Sequence, residues 1–242
     1  MSLLFEEIDS QASPLGEICL RRRRIPALGE RDIYEVKLGD EFLMSSMFVE
    51  AEEALATLGL ATVEGEDLRV VVGGLGLGYT AVAALRDARI AELLVVDALE
   101  TVIGWHRDEL VPLGKILNAD PRNRYVHGSF FNLATQPNSG FDPDSAEKKF
   151  DAILLDIDHS PSEYLHAANA GFYSSEKLSL MAAQLKPAGV FAMWSQNLPE
   201  ESFEALLGTV FAEVNSHVIS FYNPFLGGES TNSVYVCVKG AP

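Results

Sequence analysis

The chain has 242 residues, 48% of them hydrophobic, and a formal net charge of −17. A surface this acidic repels phosphate backbones and attracts small cations such as amines, so no nucleic acid is expected as a partner, although excess acid can also serve solubility alone. The sequence has no apolar run of about 18 residues, no cysteine–histidine cluster and only two cysteines. We therefore expect no membrane span, no metal site and a reduced, cytoplasmic compartment.

Residues 1–46 are predicted to form a small antiparallel β region. Short alternating segments at 16–24, 32–37 and 41–45, separated by glycines, are typical of hairpins. The first segment contains four consecutive arginines, Arg21–Arg24, which favour an exposed edge strand blunted by charge. An anion-binding site or a contact between subunits is the alternative interpretation. Residues 47–60 then show apolar side chains at helical spacing, and this helix and a linker up to residue 66 connect the two parts of the chain.

From residue 67 to 242, strand and helix patterns alternate, which predicts an α/β domain with a doubly wound sheet. Strands are expected over 68–72, 92–96, 124–127, 152–155, 190–194, 215–222 and 233–238. Helices are expected over 79–88, 99–117, 173–185 and 200–211, and residues 136–149 are expected to form a surface loop. The last two strands are predicted to form a terminal hairpin, which is not a feature of dinucleotide dehydrogenases.

Three alternating glycines follow the first strand of this domain. Gly74, Gly76 and Gly78 stand between the strand at 68–72 and the helix that begins at Tyr79, an arrangement that lets a nucleotide approach the backbone closely. The dinucleotide fingerprint requires a glycine where Tyr79 stands, so the spacing favours a ligand without a pyrophosphate. Asp97 ends the second strand, where a carboxylate can accept hydrogen bonds from both ribose hydroxyls. A helix-capping acid is the alternative interpretation of Asp97.

Four segments together resemble the spermidine-synthase-like branch of the class I S-adenosylmethionine-dependent methyltransferase superfamily. They are VVVGGLGLGYTA (70–81), LLVVDALETVI (93–103), FDAILLDIDHSP (150–161) and GFYSSEKLSLMAAQLKPAGVFAMWSQ (171–196). The resemblance spans about 47–240. It implies a Rossmann-like seven-stranded sheet with a reversed C-terminal strand, preceded by a small β-hairpin domain. It also implies a homodimer formed through those hairpins.

The resemblance also implies where S-adenosylmethionine or its decarboxylated form would bind. Gly74, Gly76 and Gly78, with Tyr79 beside them, would cradle the methionine-derived part of the molecule, and Asp97 would hold its ribose. Ser129 stands at the place from which the family contacts adenine.

Asp156 ends the fourth strand, at the edge of the sheet that faces the ligand. Alkyl transfer from a sulfonium needs an acceptor lone pair that has lost its proton and is aimed at the carbon. We expect Asp156 to be the base or the anchor of the acceptor and to contact the donor as well, with Asp158 and His159 orienting or completing the base. The acceptor pocket is predicted to contain Glu53, Tyr164, Tyr173 and Trp194, and Asn169 is a further candidate.

One departure from the family affects the reaction. The spermidine synthases that the chain resembles carry an aspartate at the position of Gly76, and its loss weakens discrimination against the carboxylate of intact S-adenosylmethionine. The sequence therefore favours methyl transfer to a small, cationic amine. Aminopropyl transfer, as in a polyamine synthase, is the alternative. A non-catalytic nucleoside-binding module and a nicotinamide oxidoreductase are the further alternatives.

Overall fold

The computed structural model describes residues 4–29, 31–136 and 140–240. Parts of the predicted ranges 1–46, 67–242 and 136–149 lie outside the described residues. The strands are β1 (Phe5–Ser13), β2 (Gly16–Arg24), β3 (Asp32–Leu38), β4 (Glu41–Ser45), β5 (Leu68–Gly73), β6 (Ile90–Asp97), β7 (Asn123–His127), β8 (Phe150–Leu155), β9 (Leu185–Ser195), β10 (Glu213–Asn223) and β11 (Gly228–Val238). The α-helices are α1 (Glu50–Ala61), α2 (Tyr79–Leu85), α3 (Glu100–Arg107), α4 (Gly114–Ala119), α5 (Phe130–Thr135), α6 (Ser175–Ala182) and α7 (Glu201–Leu207), and short 3-10 helices span Pro26–Leu28 and Ala167–Phe172.

The N-terminal strands form a four-stranded antiparallel sheet in the order β1-β2-β3-β4. The sequence did not predict β1, because its mostly polar side chains hide the alternation. The expectation of an edge strand for Arg21–Arg24 is wrong, since β2 is paired on both sides. These arginines form ion pairs across the sheet. Arg21 and Arg23 both bind the fully buried Glu35, while Arg22 and Arg24 bind acids at positions 6 and 32.

The remaining strands form one seven-stranded sheet in the order β10-β11-β9-β8-β5-β6-β7. The pairs among β5, β6, β7, β8 and β9 are parallel, whereas β11 is antiparallel to both of its neighbours, β9 and β10. The predicted reversal of the C-terminal strand is therefore confirmed. Strand order changes direction at β5, and the glycine turn that follows β5 lies at the crevice where such sheets bind ligands.

All four helices predicted for the α/β domain are shorter than expected. The helix predicted over 79–88 ends at Leu85, and the helix predicted over 200–211 ends at Leu207. The helix predicted over 99–117 is split into α3 and α4, because Glu109 has a left-handed backbone with φ of +57°, which a continuing helix cannot contain. The helix predicted over 173–185 begins only after Ser174, whose side chain caps the N–H of Lys177. It ends before Leu185, which already pairs with Phe150 in the sheet.

The strand β5 is buried on both faces and separates two cores. Val70 and Val72 belong to a core that contains α1 and also Ile18 and Leu20 of the small sheet. Val71 belongs to the other core, with apolar side chains of α6 and α7. The small sheet therefore packs directly on the α/β domain, above the glycine turn. Within the described residues, no helix is both long and apolar enough to cross a membrane.

Candidate functional site

Two glycines of the turn between β5 and α2 make its closest contacts with the rest of the protein. Gly74 has φ of +94°, and a Cβ there would lie 2.0 Å from the carbonyl oxygen of Asp156. Gly76 has φ of +47°, and its Cβ would lie 2.4 Å from the sulfur of Met44, which comes from β4 of the small sheet. Both contacts are far below any normal carbon contact distance. The turn is thus held closely between the end of β8 and the small sheet.

The N–H groups of the turn already have partners within the protein. Leu75 donates to Asp97 Oδ2 at 2.9 Å, and Gly76 also donates to Asp97. Leu77 donates to the sulfur of Met44 at 3.0 Å. These N–H groups are therefore not free to bind an anionic group of a ligand.

Asp97 is first of all the residue that shapes the turn. In addition to the N–H groups of Leu75 and Gly76, it accepts the N–H of Leu99 through Oδ1 at 2.8 Å. A carboxylate offers about four acceptor positions, so roughly one remains for a ligand hydroxyl. Burial raises the pKa of Asp97, and the backbone N–H donors oppose that shift.

His106 contacts the same turn from α3, and the sequence did not predict this role. It is fully buried on α3, and its Nε2 lies 3.0 Å from the carbonyl oxygen of Gly76. Burial lowers the pKa of His106 to about 4, so the ring is neutral and donates its proton to that oxygen. A Cβ at Gly78 would lie 2.8 Å from the ring. The sequence offers no signal for this contact, because a single histidine in a helix has no motif around it.

A cavity of about 330 Å³ opens beside the turn, within the range of small-molecule sites. The small sheet, α1, the turn, the start of α5 and the ends of β6, β8 and β9 all contribute to its wall. Its polar or charged lining side chains are Glu52, Tyr79, Asp97, Ser129, Asn132, Asp156, His159, His166, Asn169 and Trp194. No lysine or arginine of the described residues lines it.

Nine of the predicted site residues line this cavity. They are Gly74, Gly76, Tyr79, Asp97, Ser129, Asp156, His159, Asn169 and Trp194. Ser129 also caps α5 by accepting the N–H of Asn132. His159 lies at 2.8 Å from Glu41 of β4 through Nε2, so it links the small sheet to the segment after β8. The indole N–H of Trp194 is buried and has no hydrogen-bond partner among the described residues.

The other predicted residues do not line the cavity. Asp158 is 1% exposed and accepts hydrogen bonds from Leu165 N, Asn169 Nδ2 and the hydroxyl of Tyr173. With its acceptor positions used in this way, Asp158 positions the segment after β8. The ring of Tyr164 stacks on Tyr173 at 5.5 Å, and burial raises the pKa of Tyr173 well above its usual value.

Two further residues from the predicted set point elsewhere. Gly78 packs against α3 and α4, where a Cβ would collide with His106 and Leu117. Glu53 forms an ion pair with Arg86 at 2.9 Å and lies outside the cavity wall. The carboxylate that α1 contributes to the cavity is instead the neighbouring Glu52, which was not predicted.

Glu52 and Asp156 form a carboxylate pair in the cavity. Asp156 Oδ2 accepts the hydroxyl of Thr80 at 2.6 Å, and burial raises the pKa of Asp156 to about 6. Burial and the charge of Asp156 raise the pKa of Glu52 to about 8. Near neutral pH the pair therefore retains a proton that a bound cation would displace.

The side chains of the cavity suit a cationic organic ligand better than a metal ion. Among the described residues, no three histidine, cysteine or acidic side chains are grouped closely enough to hold a metal. Apolar side chains such as Leu43, Leu99 and Phe131 form much of the wall, while Glu52 and Asp156 are close enough for the charge of Asp156 to raise the pKa of Glu52.

No protein-family model and no curated protein matches the sequence. Among solved structures, the chain is similar to spermidine synthase from Thermotoga maritima, with a TM-score of 0.72 and 18% identity over 98% of this chain and 74% of that one. It is also similar to a spermidine synthase in complex with the transition state analogue AdoDATO, with a TM-score of 0.70, 18% identity and the same coverage. The chain therefore has the class I S-adenosylmethionine-dependent methyltransferase fold, in the form that spermidine synthases have.

Proposed function

We propose that the protein transfers an alkyl group from a sulfonium nucleoside of the S-adenosylmethionine type to a small amine. The observation that carries this proposal is the cavity at the glycine turn, which presents Glu52, Asp97 and Asp156 and no basic side chain of the described residues. A sulfonium donor and an ammonium acceptor are both cations, and carboxylates in a poorly solvated cavity favour them.

Several features of the turn support the binding of a nucleoside. Gly74 and Gly76 line the cavity, and the absence of a Cβ lets the turn lie against Asp156 and Met44. The remaining acceptor position of Asp97 suits a ribose hydroxyl, and Ser129 and Asn132 lie where a base can reach polar groups. The buried N–H of Trp194 is available to a lone pair of a bound ligand. Once bound, the donor supplies an electrophilic carbon attached to its sulfonium.

Aminopropyl transfer from the decarboxylated donor is the form of the reaction that the cavity supports best. A donor carboxylate would meet Glu52 and Asp156 without a lysine or arginine to pair with it, and the turn N–H groups are already used. The solved spermidine synthase that binds AdoDATO supports the same choice by its fold.

Methyl transfer from intact S-adenosylmethionine is the second candidate. It is favoured by Gly76, where the resembled synthases have an aspartate that grips the donor's amino group. Here Met44 fills the adjacent space with an uncharged thioether. Which of the two reactions occurs depends on whether Glu52 replaces the electrostatic effect of that missing aspartate.

A donor panel tests the proposal. We would measure calorimetric affinity for S-adenosylmethionine, its decarboxylated form, methylthioadenosine and NAD. Product formation from each donor with 1,4-diaminobutane would be followed by mass spectrometry. We expect the decarboxylated donor to bind at least about tenfold more tightly than the intact one, equivalent to about 1.4 kcal/mol, and to give an aminopropylated product. Turnover with the intact donor alone would establish methyl transfer instead.

Two further outcomes of this panel would overturn the proposal. Binding of adenosyl compounds without any product would indicate a nucleoside-binding module. Absence of adenosyl binding would remove the basis of the whole proposal. The homodimer and the cytoplasmic location stay predictions, which sedimentation and cell fractionation can test.

A further inference from the structure

Helix α1 brings one carboxylate into the cavity and turns two others away from it. Glu50 is exposed to solvent, and Glu53 pairs with Arg86. Glu52 lies on the side of the helix that packs on the sheet, and it lines the cavity together with Asp156. Among the acids in the first turn of α1, Glu52 is therefore the one that a bound ligand meets.

The two carboxylates in the cavity differ in how their charge is stabilised. Asp156 accepts the hydroxyl of Thr80 at 2.6 Å, which favours its ionised form and makes it a weaker base. The hydrogen bond that opposes the burial of Glu52 comes from its own backbone N–H. A carboxylate in a low dielectric beside a second negative charge is the stronger base of such a pair.

We propose that Glu52 is the catalytic base of the alkyl transfer and that Asp156 is the fixed anion that binds the ammonium group of the acceptor. This inference rests on the proposed function and deepens it. It moves proton removal from Asp156, at the end of β8, to the neighbouring carboxylate on α1.

The bound ammonium group gives one proton to the carboxylate of Glu52, which becomes a neutral carboxylic acid. The freed nitrogen lone pair forms a bond to the carbon attached to the sulfonium sulfur, and the electron pair of the broken carbon–sulfur bond stays on sulfur. The sulfur leaves as a neutral thioether, and the alkylated nitrogen carries the positive charge. Glu52 then releases its proton to solvent.

The charges that raise the pKa of Glu52 are acidic. Asp156 faces it from the end of β8, and Glu50 and Glu53 act on it from its own helix. Two arginines act on its neighbours, Arg31 on Tyr79 and Arg86 on Glu53, but no lysine or arginine of the described residues lines the cavity. The pKa of Glu52, raised to about 8, is close to the working pH that suits a general base.

The test compares Glu52→Gln, Asp156→Asn and the matched control Glu50→Gln, which removes the same charge from the solvent side of α1. We would measure pH profiles of kcat and KM with decarboxylated S-adenosylmethionine and 1,4-diaminobutane. Glu52→Gln is expected to lower kcat at pH 7.5 by at least about 100-fold. Its residual rate should rise about tenfold per pH unit in alkaline solution, because free amine then replaces the missing base.

Asp156→Asn is expected mainly to raise KM for the amine, and Glu50→Gln to behave as wild type. Proton release adds a readout that does not depend on turnover. Amine binding measured by calorimetry in two buffers of different ionisation enthalpy should release about one proton at pH 7 from the wild type and none from Glu52→Gln.

The possible failures are distinguishable. If wild type forms no product from any adenosyl donor, the proposed function falls, and this inference falls with it. If wild type is active while Glu52→Gln keeps the wild-type kcat and pH profile, only the assignment of the base to Glu52 is overturned. An equal proton release from both proteins would overturn it as well. A cooperative urea unfolding transition of Glu52→Gln with the wild-type m-value shows that the variant has folded.

Discussion

Replacing Glu52 by glutamine should stabilise the ligand-free protein at alkaline pH and leave its stability nearly unchanged at acidic pH. Glutamine has the shape of the protonated glutamic acid, so it preserves packing while removing the charge. The carboxyl of Glu52 has a pKa of about 8 in the folded protein, against an ordinary value of 4.5, because of burial and the nearby charge of Asp156.

The sign of the effect follows from proton linkage. Between pH 4.5 and 8 the folded protein binds a proton at Glu52 that the unfolded chain has lost, so the free energy of unfolding falls as pH rises through this window. A pKa difference of that size corresponds to about 5 kcal/mol at full strength. Glu52 is only half-buried and the charge is shared with Asp156, so we expect about 2–3 kcal/mol.

Urea unfolding at pH 5.5 and pH 8.5 measures this effect, with Glu50→Gln as the control for charge removal on the same helix. Wild type should lose about 2–3 kcal/mol more than Glu52→Gln between the two pH values, and the m-value should stay constant. The free energy of unfolding of the control Glu50→Gln should depend on pH as that of wild type does. The reasoning would be refuted if Glu52→Gln showed this same pH dependence. A saturating cationic ligand should restore the wild-type stability at pH 8.5, since it pairs with the ionised carboxylates.

Three other changes test the turn. Gly74→Ala would place a Cβ 2.0 Å from the carbonyl oxygen of Asp156 at φ of +94°, and we expect a stability loss of about 2–4 kcal/mol by urea unfolding together with loss of nucleoside binding. Asp97→Ala should lower the free energy of unfolding by about 2–4 kcal/mol, because the backbone N–H groups of the turn lose their acceptor. It should also weaken nucleoside binding by at least about tenfold. Unchanged affinity by calorimetry would show that the ribose is held elsewhere. Gly76→Asp alone should bind no donor, since its Cβ would lie 2.4 Å from the sulfur of Met44. The double variant Met44→Ala/Gly76→Asp should bind the donor, and it should prefer the decarboxylated form by a further factor of about 10. An equal preference in wild type and double variant would contradict the electrostatic account of donor choice.

The parallel strands were predictable because each is a short apolar run that ends at a turn. Val70–Val72, buried on both faces of the sheet, is such a run. β1 was not predictable in the same way, since most of its side chains are acidic or polar. Its first three residues pair with arginines of β2, and Glu6 forms an ion pair with Arg22. The break between α3 and α4 depends on the positive φ of Glu109, a conformation that a glutamate does not signal.

Some residues of the candidate site could likewise be predicted from the sequence, and others could not. Asp97 and Asp156 could be predicted because strand ends of a parallel sheet converge at one edge. Glu52 could have been predicted from its position on the helical periodicity of α1. It lies four residues before Ala56 and seven before Gly59, both buried, and a Cβ at Gly59 would lie 2.7 Å from Leu154 of the sheet. This stripe of small residues marks the face that packs on the sheet, and Glu52 is on it. Glu53 is one residue, and thus about 100° of helical rotation, away.

The position of the negative charge changes how the missing aspartate at Gly76 should be interpreted. A loop aspartate would act on the donor through a contact with its amino group, and Met44 here closes that position. Glu52 places a carboxylate in the same cavity from α1, next to Asp156. In a poorly solvated cavity the repulsion of a donor carboxylate depends on the summed charge within several ångströms more than on one contact. The cavity can therefore reject a carboxylate without the loop aspartate, and because Glu52 is close to its pKa near neutral pH, the rejection should strengthen as pH rises through 8. Discrimination between the two donors that increases with pH in wild type, and stays flat in Glu52→Gln, would distinguish this arrangement from one that depends on a fixed loop charge.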